Sequence, residues 1–209
     1  MHARAESLCI YIASSNAGKL REYRALAESS GLALQVAPIS DFDSLAAFEE
    51  SAPTFAENAA GKALHYSRLA AGLVLADDSG LVVPALGGAP GVHSARYAGR
   101  GASNAERNAK LLGEMRGKTG AQRRARFVCV IALAERGEVR GIFSAFAEGE
   151  LLEAPRGAGG FGYDPVFYFP ALQKTFAEIS EKEKNLYSHR GITFRKAASF
   201  LAGLSPKSV

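Results

Sequence analysis

Cysteine is scarce in this chain, with two in 209 residues, Cys9 and Cys129. Each lies inside an apolar, strand-like run (LCIYIA and RFVCVIALA), so both read as reduced core residues. Two isolated cysteines argue against a disulfide framework and against a cysteine metal site. No apolar run approaches the roughly 18 residues that a membrane helix needs. The opening MHARAESLCI lacks the apolar core and small-residue cleavage site of a signal peptide. These absences point to a cytoplasmic protein with no membrane partner. Repeats, low-complexity tracts and clear linkers are missing too. So is the GxxxxGK[ST] spacing of a Walker A loop.

What is present is an ordinary globular composition, 47% apolar and 22% charged. The length suits one domain, or one domain with two lobes, and is enough for a sizeable core. Net charge is +4 but unevenly spread. Residues 1–60 hold eight acids and four bases, whereas residues 100–126 hold eight bases against Glu106 and Glu114. Such asymmetry suits a partner with phosphates. The basic stretch has no interleaved aromatics, so it reads as a solvated face and not as a nucleic-acid platform.

Strand-like and helical patterns are interspersed. LCIYIA and LALQVAP read as strands around a helix over KLREYRALAESS, with Leu20, Tyr23, Leu26 and Ala27 on one face. Thr54 with Glu57, Ser103 with Glu106 and Ser180 with Glu183 form capping-box signatures. The first opens a helix to about Ala71, the second a helix through Met115, and a last helix runs from Ile192 to Ala202. RFVCVIALAERGEVRGIFSAFAEG reads as two strands around the turn ERGE. The expected fold is α/β with a mixed sheet.

Four stretches carry chemistry. LADDSGLVV puts Asp77, Asp78 and Ser79 between two apolar runs, either as a hairpin turn or as buried carboxylates that need a cation. SSNAGK lies between the first strand and the first helix. There Ser14, Ser15, Asn16 and Ala17, with Gly18 and Lys19, either form a plain N-cap with Lys19 in solvent, the reading favoured by the stretch alone, or aim N–H groups and a positive charge at an anion. Glu49 and Glu50 precede the second helix, from which Lys62 projects. GGFGYDP (Phe161, Gly162, Tyr163, Asp164) offers a wrapping loop and an aromatic face, and KNLYSHRG adds Lys184, His189 and Arg190. No second histidine stands at ligand spacing from His189.

SSNAGKLREY, EE-x₃-TFAENAAGKA, LADDSGLVVPALGGAPGVHSARYAG, GGFGYDPVF and SHRG occur together and in order. This set resembles the inosine triphosphate pyrophosphatase family, from about Leu8 to Leu204, with residues 1–7 as an extension outside it. The resemblance implies a two-lobed α/β fold with a long mixed sheet flanked by helices, an active-site cleft between the lobes, and a homodimer. It implies Mg²⁺-dependent hydrolysis of ITP, dITP or XTP to the monophosphate and pyrophosphate, with Asp78 as general base and Glu49 and Asp78 on the metal. Ser14 to Lys19 and Lys62 would hold the triphosphate, and Ser79 would contact the substrate. Phe161 would stack on the base, in a loop completed by Gly162 and Tyr163. Asp164, Lys184, His189 and Arg190 would read the base edge. Two departures stand out: Ser15 where the family's first loop has glycine, and Gly61, which should weaken its helix slightly. A Maf-like hydrolase of modified pyrimidine nucleotides and a non-enzymatic nucleic-acid binder are the alternative classes.

Overall fold

A computed structural model describes residues 8–204, and the 1–7 extension lies outside them. The strands are β1 (Leu8–Ile12), β2 (Leu34–Pro38), β3 (Leu73–Val82), β4 (Arg124–Glu135), β5 (Glu138–Leu151), β6 (Phe167–Phe169) and β7 (Lys174–Thr175). They form one mixed sheet in the order β2-β1-β3-β4-β5-β6-β7. β1 pairs in parallel with β2 and β3, while β6 runs antiparallel to both β5 and β7. The helices are α1 (Ala17–Glu28), α2 (Phe55–Ser67), α3 (Asn104–Glu114), α4 (Glu181–Tyr187) and α5 (His189–Leu204). The α/β class with a mixed sheet is therefore as the interspersed patterns require.

The chain divides into two compact units. Among the described residues, one holds 8–78, Val130–Ser144 and 191–204; the other holds Ser79–Cys129 and Ala145–Arg190. In the first unit, Ala59, Ala63 and Tyr66 of α2 bury against Val74 and Ala76 of β3 and Val130 of β4. Tyr23 and Leu26 of α1 are buried as their spacing predicts, and the Tyr23 ring meets Phe194 of α5 at 5.8 Å between centroids. In the second unit, Leu111 and Met115 at the end of α3 join Phe127, Phe167 and Phe176.

The DDSG stretch is not a turn. β3 runs unbroken from Leu73 to Val82, and every residue from Leu73 to Asp78 is buried. β3 pairs with β1 from Leu73 to Leu75 and is bridged to Pro90 at Val82, so the chain crosses DDSG in extended form between the two and does not reverse. Gly80 serves close approach: a Cβ there would lie 2.4 Å from Ser94 Oγ and 2.5 Å from the Gly91 carbonyl. The turn between β4 and β5 is where ERGE puts it. Arg136 and Gly137 both have positive φ, at 52° and 78°, as a tight two-residue hairpin turn demands.

Two local expectations change. α2 ends at Ser67, short of Ala71. The Ser103 and Ser180 capping boxes form in full. At Thr54 only half of one does: its hydroxyl accepts from the Glu57 N–H, but the Glu57 carboxylate turns to that same hydroxyl at 2.7 Å. Gly61 is more than a weak point in α2. A Cβ there would stand 2.6 Å from Phe48 Cζ, so the absence of a side chain is what lets that ring lie on the helix.

Candidate active site

The first cluster lies within the first unit, where β3, α1 and α2 supply its residues. A parallel strand pair delivers Asp77 and Asp78 to the end of the buried run of β3, and α1 starts just after β1. Asn16 caps α1 by accepting from the Lys19 N–H at 3.1 Å, while its own N–H donates to Ser14 Oγ. Ser15, Asn16 and Ala17 are exposed, and Ser14, Gly18 and Lys19 half-buried. Lys19 Nζ reaches Asp77 Oδ1 at 2.9 Å. Lys62, buried on α2, pairs with Glu50. The structure thus draws Glu50 inward and leaves Glu49 exposed on the same loop.

That loop is clipped to α2. The Phe48 N–H donates to the Tyr66 hydroxyl at 3.3 Å, and the His65 ring meets the Ala46 carbonyl at 2.7 Å. Asn58 finishes the attachment with a residue that carried no sequence signal of its own. Its Oδ1 accepts from the Ala52 N–H at 3.0 Å, and its Nδ2 donates to the Ala52 carbonyl at 3.2 Å and to Asp78 Oδ2 at 3.0 Å.

Charge is crowded here. Burial pushes the Asp78 carboxyl up to about 6, with the Glu50 carboxylate adding to the rise. Lys19, Lys62 and the Asn58 amide oppose it. Burial works against the Lys62 ammonium too, but Glu50, Asp77 and Asp78 outweigh it and hold that group above its usual range. The result is a buried carboxylate of intermediate acidity beside two lysines, an arrangement fit to take a proton next to bound anions.

The second cluster lies within the second unit. Asp164 Oδ2 accepts from the Phe161 N–H at 2.8 Å and from Lys184 Nζ at 2.6 Å, with both charged groups buried. The loop passes over Asp164 at Gly160, whose φ is +68° and whose missing Cβ would fall 2.2 Å from Asp164 Oδ2. Lys184 Nζ stands 4.7 Å from the Phe161 ring centroid, and the Arg190 guanidinium 5.4 Å. Arg190 also donates to Ser79 Oγ at 2.9 Å.

Phe161 and Gly162 are half-buried. Tyr163 instead turns into the core, donates to the Ser94 carbonyl at 2.8 Å, and has its hydroxyl pKa pushed up by burial. His189 is buried and stacks on Phe127, with centroids 4.7 Å apart and planes 8° apart. Asn108 of α3 holds the loop from below through Nδ2 to the Gly162 carbonyl at 3.1 Å. Like Asn58, it lacked any spacing signature.

A buried carboxylate between lysines, beside a helix start at a strand end, defines an anion-handling α/β protein. The chain belongs to the Ham1 family, whose model matches residues 10–200. A protein of Geobacillus kaustophilus (strain HTA426) named dITP/XTP pyrophosphatase is 50% identical over 187 residues, covering 90% of this chain and 91% of its own. One of the same name from Gloeobacter violaceus (strain ATCC 29082 / PCC 7421) is 50% identical over 190 residues, covering 91% and 92%. Among solved structures, a HAM1 protein from Coxiella burnetii superposes with a TM-score of 0.83 at 42% identity, covering 94% of this chain and 99% of its own.

Proposed function

We propose that this protein hydrolyses the non-canonical purine nucleoside triphosphates ITP, dITP and XTP to the monophosphate and pyrophosphate, keeping them out of DNA and RNA. The observation that carries this reading is Asp78, buried, raised to about 6 and set beside Lys19 and Lys62. The names of the relatives support the substrate class.

In this reading Asp78 takes a proton from water as the water oxygen bonds to the α-phosphorus. The bond from that phosphorus to the bridging oxygen breaks, and pyrophosphate leaves with the electron pair. A base near 6 is mostly ionised at neutral pH yet closer to working pH than an ordinary carboxylate. Lys19, Lys62 and the N–H groups over Ser14 to Gly18 meet the charge on the phosphates.

The donors present fit a hard divalent cation: they are carboxylate oxygens, and the Asp78 carboxyl, raised first by burial and then by Glu50, gains from a nearby positive charge. Among the described residues no group of three or more His, Cys, Asp or Glu forms a preformed cage. A cation of this kind is commonly bound by one or two carboxylates plus phosphate oxygens and water. We assign it as Mg²⁺, held by Asp78 with Glu49, the exposed carboxylate of a loop whose other acid, Glu50, is engaged by Lys62. When bound, it spreads the charge of the phosphates and the departing pyrophosphate.

At the base end, Phe161 stacks, and Lys184 and Arg190 select. Hypoxanthine and xanthine carry an acceptor oxygen at C6, where adenine carries a donor amino group. Lysine and arginine only donate. ATP would set a donor against a buried cationic donor, and polar pockets of this kind discriminate by up to about 10⁴-fold. His189 and Asp164 complete the edge, and Ser79 contacts the substrate beside Arg190. No helix of the described residues is long and apolar enough to cross a membrane. A cytoplasmic homodimer belongs to the same reading, and light scattering of the purified protein tests the dimer.

The deciding experiment is pyrophosphate release from ITP, dITP, XTP, GTP, ATP, CTP and UTP, with and without Mg²⁺. ITP and XTP are expected well above GTP, with ATP, CTP and UTP near background. ATP turnover as fast as that of ITP would overturn the reading.

A further inference from the structure

We propose that Asn58 is a positioning residue for Asp78: its side-chain amide holds Oδ2 of that carboxylate, leaving Oδ1 to meet the attacking water, and ties the carboxylate to the acidic loop through Ala52. The inference rests on the reading of Asp78 as the group that takes the proton.

The geometry is over-determined. Asn58 is fully buried on α2, and the Ala52 N–H that donates to its Oδ1 fixes which way the amide faces. The flip that would present the oxygen to Asp78 would set two acceptors together there and the Nδ2 donors against the Ala52 N–H. Nδ2 therefore divides its two hydrogens between the Ala52 carbonyl and Asp78 Oδ2. Among the described residues, no other hydrogen bond reaches the Asp78 carboxylate. Oδ2 of the carboxylate is consequently held by one donor, itself held at two points by Ala52. Misplacing a reacting oxygen by an ångström costs about 10²-fold in rate, so such a lock bears on turnover more than on substrate affinity. The loop that Asn58 fastens is the one that carries Glu50 to Lys62.

Asn58→Asp, read beside a variant that loosens only the loop, separates this role from simple loop anchoring. An oxygen still accepts from the Ala52 N–H, but an acceptor replaces the donor facing Asp78 and the Ala52 carbonyl. The expected result is a fall in kcat for ITP of about 10- to 100-fold with KM changed less than about threefold. The second arm is the exchange Asn58→Asp with Asp78→Asn, which restores a donor–acceptor pair with its polarity reversed. Its thermal midpoint should recover relative to Asn58→Asp alone. Its kcat should match that of Asp78→Asn, since coupled residues are non-additive. Tyr66→Phe, which loosens the same loop at Phe48 without touching Asp78, should leave kcat within about threefold of wild type.

Three results overturn the proposal. Asn58→Asp could turn over as wild type does while Asp78→Asn is inactive; the base reading then stands and the positioning role fails. Tyr66→Phe could lose as much kcat as Asn58→Asp, making loop anchoring the whole effect. Asp78→Asn could itself retain full activity, in which case the base reading fails first. If Asn58→Asp does not fold, Asn58→Ser takes its place under the same criteria, its hydroxyl being too short to hold both Ala52 and Asp78.

Discussion

Asp78→Asn should make the protein more stable and nearly inactive. The carboxyl rises from an ordinary 3.8 to about 6, first because burial penalises its charged form and then because Glu50 repels it. A raised folded-state pKa means that the ionised group opposes folding. That opposition is absent below 3.8, grows as pH rises through the interval up to about 6, and is complete above it. The interval corresponds to about 3 kcal/mol at most. The amide replacement keeps the size and leaves an oxygen to accept from Asn58. Lys19 keeps Asp77 and Lys62 keeps Glu50, so no lysine is stranded. At pH 8 the variant should therefore gain of the order of 1–3 kcal/mol, or several degrees in Tm for a chain of this size. At pH 4 most of the gain should have vanished. kcat for ITP should fall by at least about 10²-fold. Differential scanning calorimetry at pH 8, 6 and 4, beside a pyrophosphate-release assay, measures both. A variant destabilised at pH 8, or one within about threefold of wild-type kcat, would refute the reasoning.

Lys62→Ala should lower kcat/KM more for a triphosphate than for a diphosphate substrate, because fewer phosphate oxygens remain to be met; equal losses in steady-state kinetics would make Lys62 only a partner for Glu50. Arg190→Ala should lose the ITP-over-ATP preference together with rate, which the nucleotide panel reads directly. Gly61→Ala should destabilise by about 1–3 kcal/mol in chemical denaturation, although alanine is the better helix former by about 1 kcal/mol, because its Cβ would enter the Phe48 ring.

Much of the fold was legible in the chain because local physics sets it. The 3.6-residue spacing of Tyr23, Leu26 and Ala27 buries one face of α1, and it does so in the structure. Ser103 and Ser180 start helices because a hydroxyl there satisfies N–H groups that have no partner in the first turn. ERGE turns because Gly137 accepts positive φ and Arg136 is carried with it. The cluster residues were legible as well, since carboxylates, lysines and a glycine-rich loop are uncommon beside buried runs.

What tertiary structure alone decided was how neighbours treat each residue. DDSG has the composition of a turn, yet it lies inside β3, which is anchored by β1 before it and continues as strand to Val82 after it. Glu49 and Glu50 are indistinguishable in sequence, because a loop has no period to assign them faces; the Phe48, His65 and Ala52 attachments to α2 send Glu50 inward. Gly61 reads as a helix-weakening residue until Phe48 is seen lying on it. Asn58 and Asn108 have no signature at all, since an amide declares its role only through the groups it meets. A residue's intrinsic preferences are written in the sequence, but the acidity of Asp78 depends on burial, on Glu50 and on Asn58, contributed by separate segments that only folding brings together.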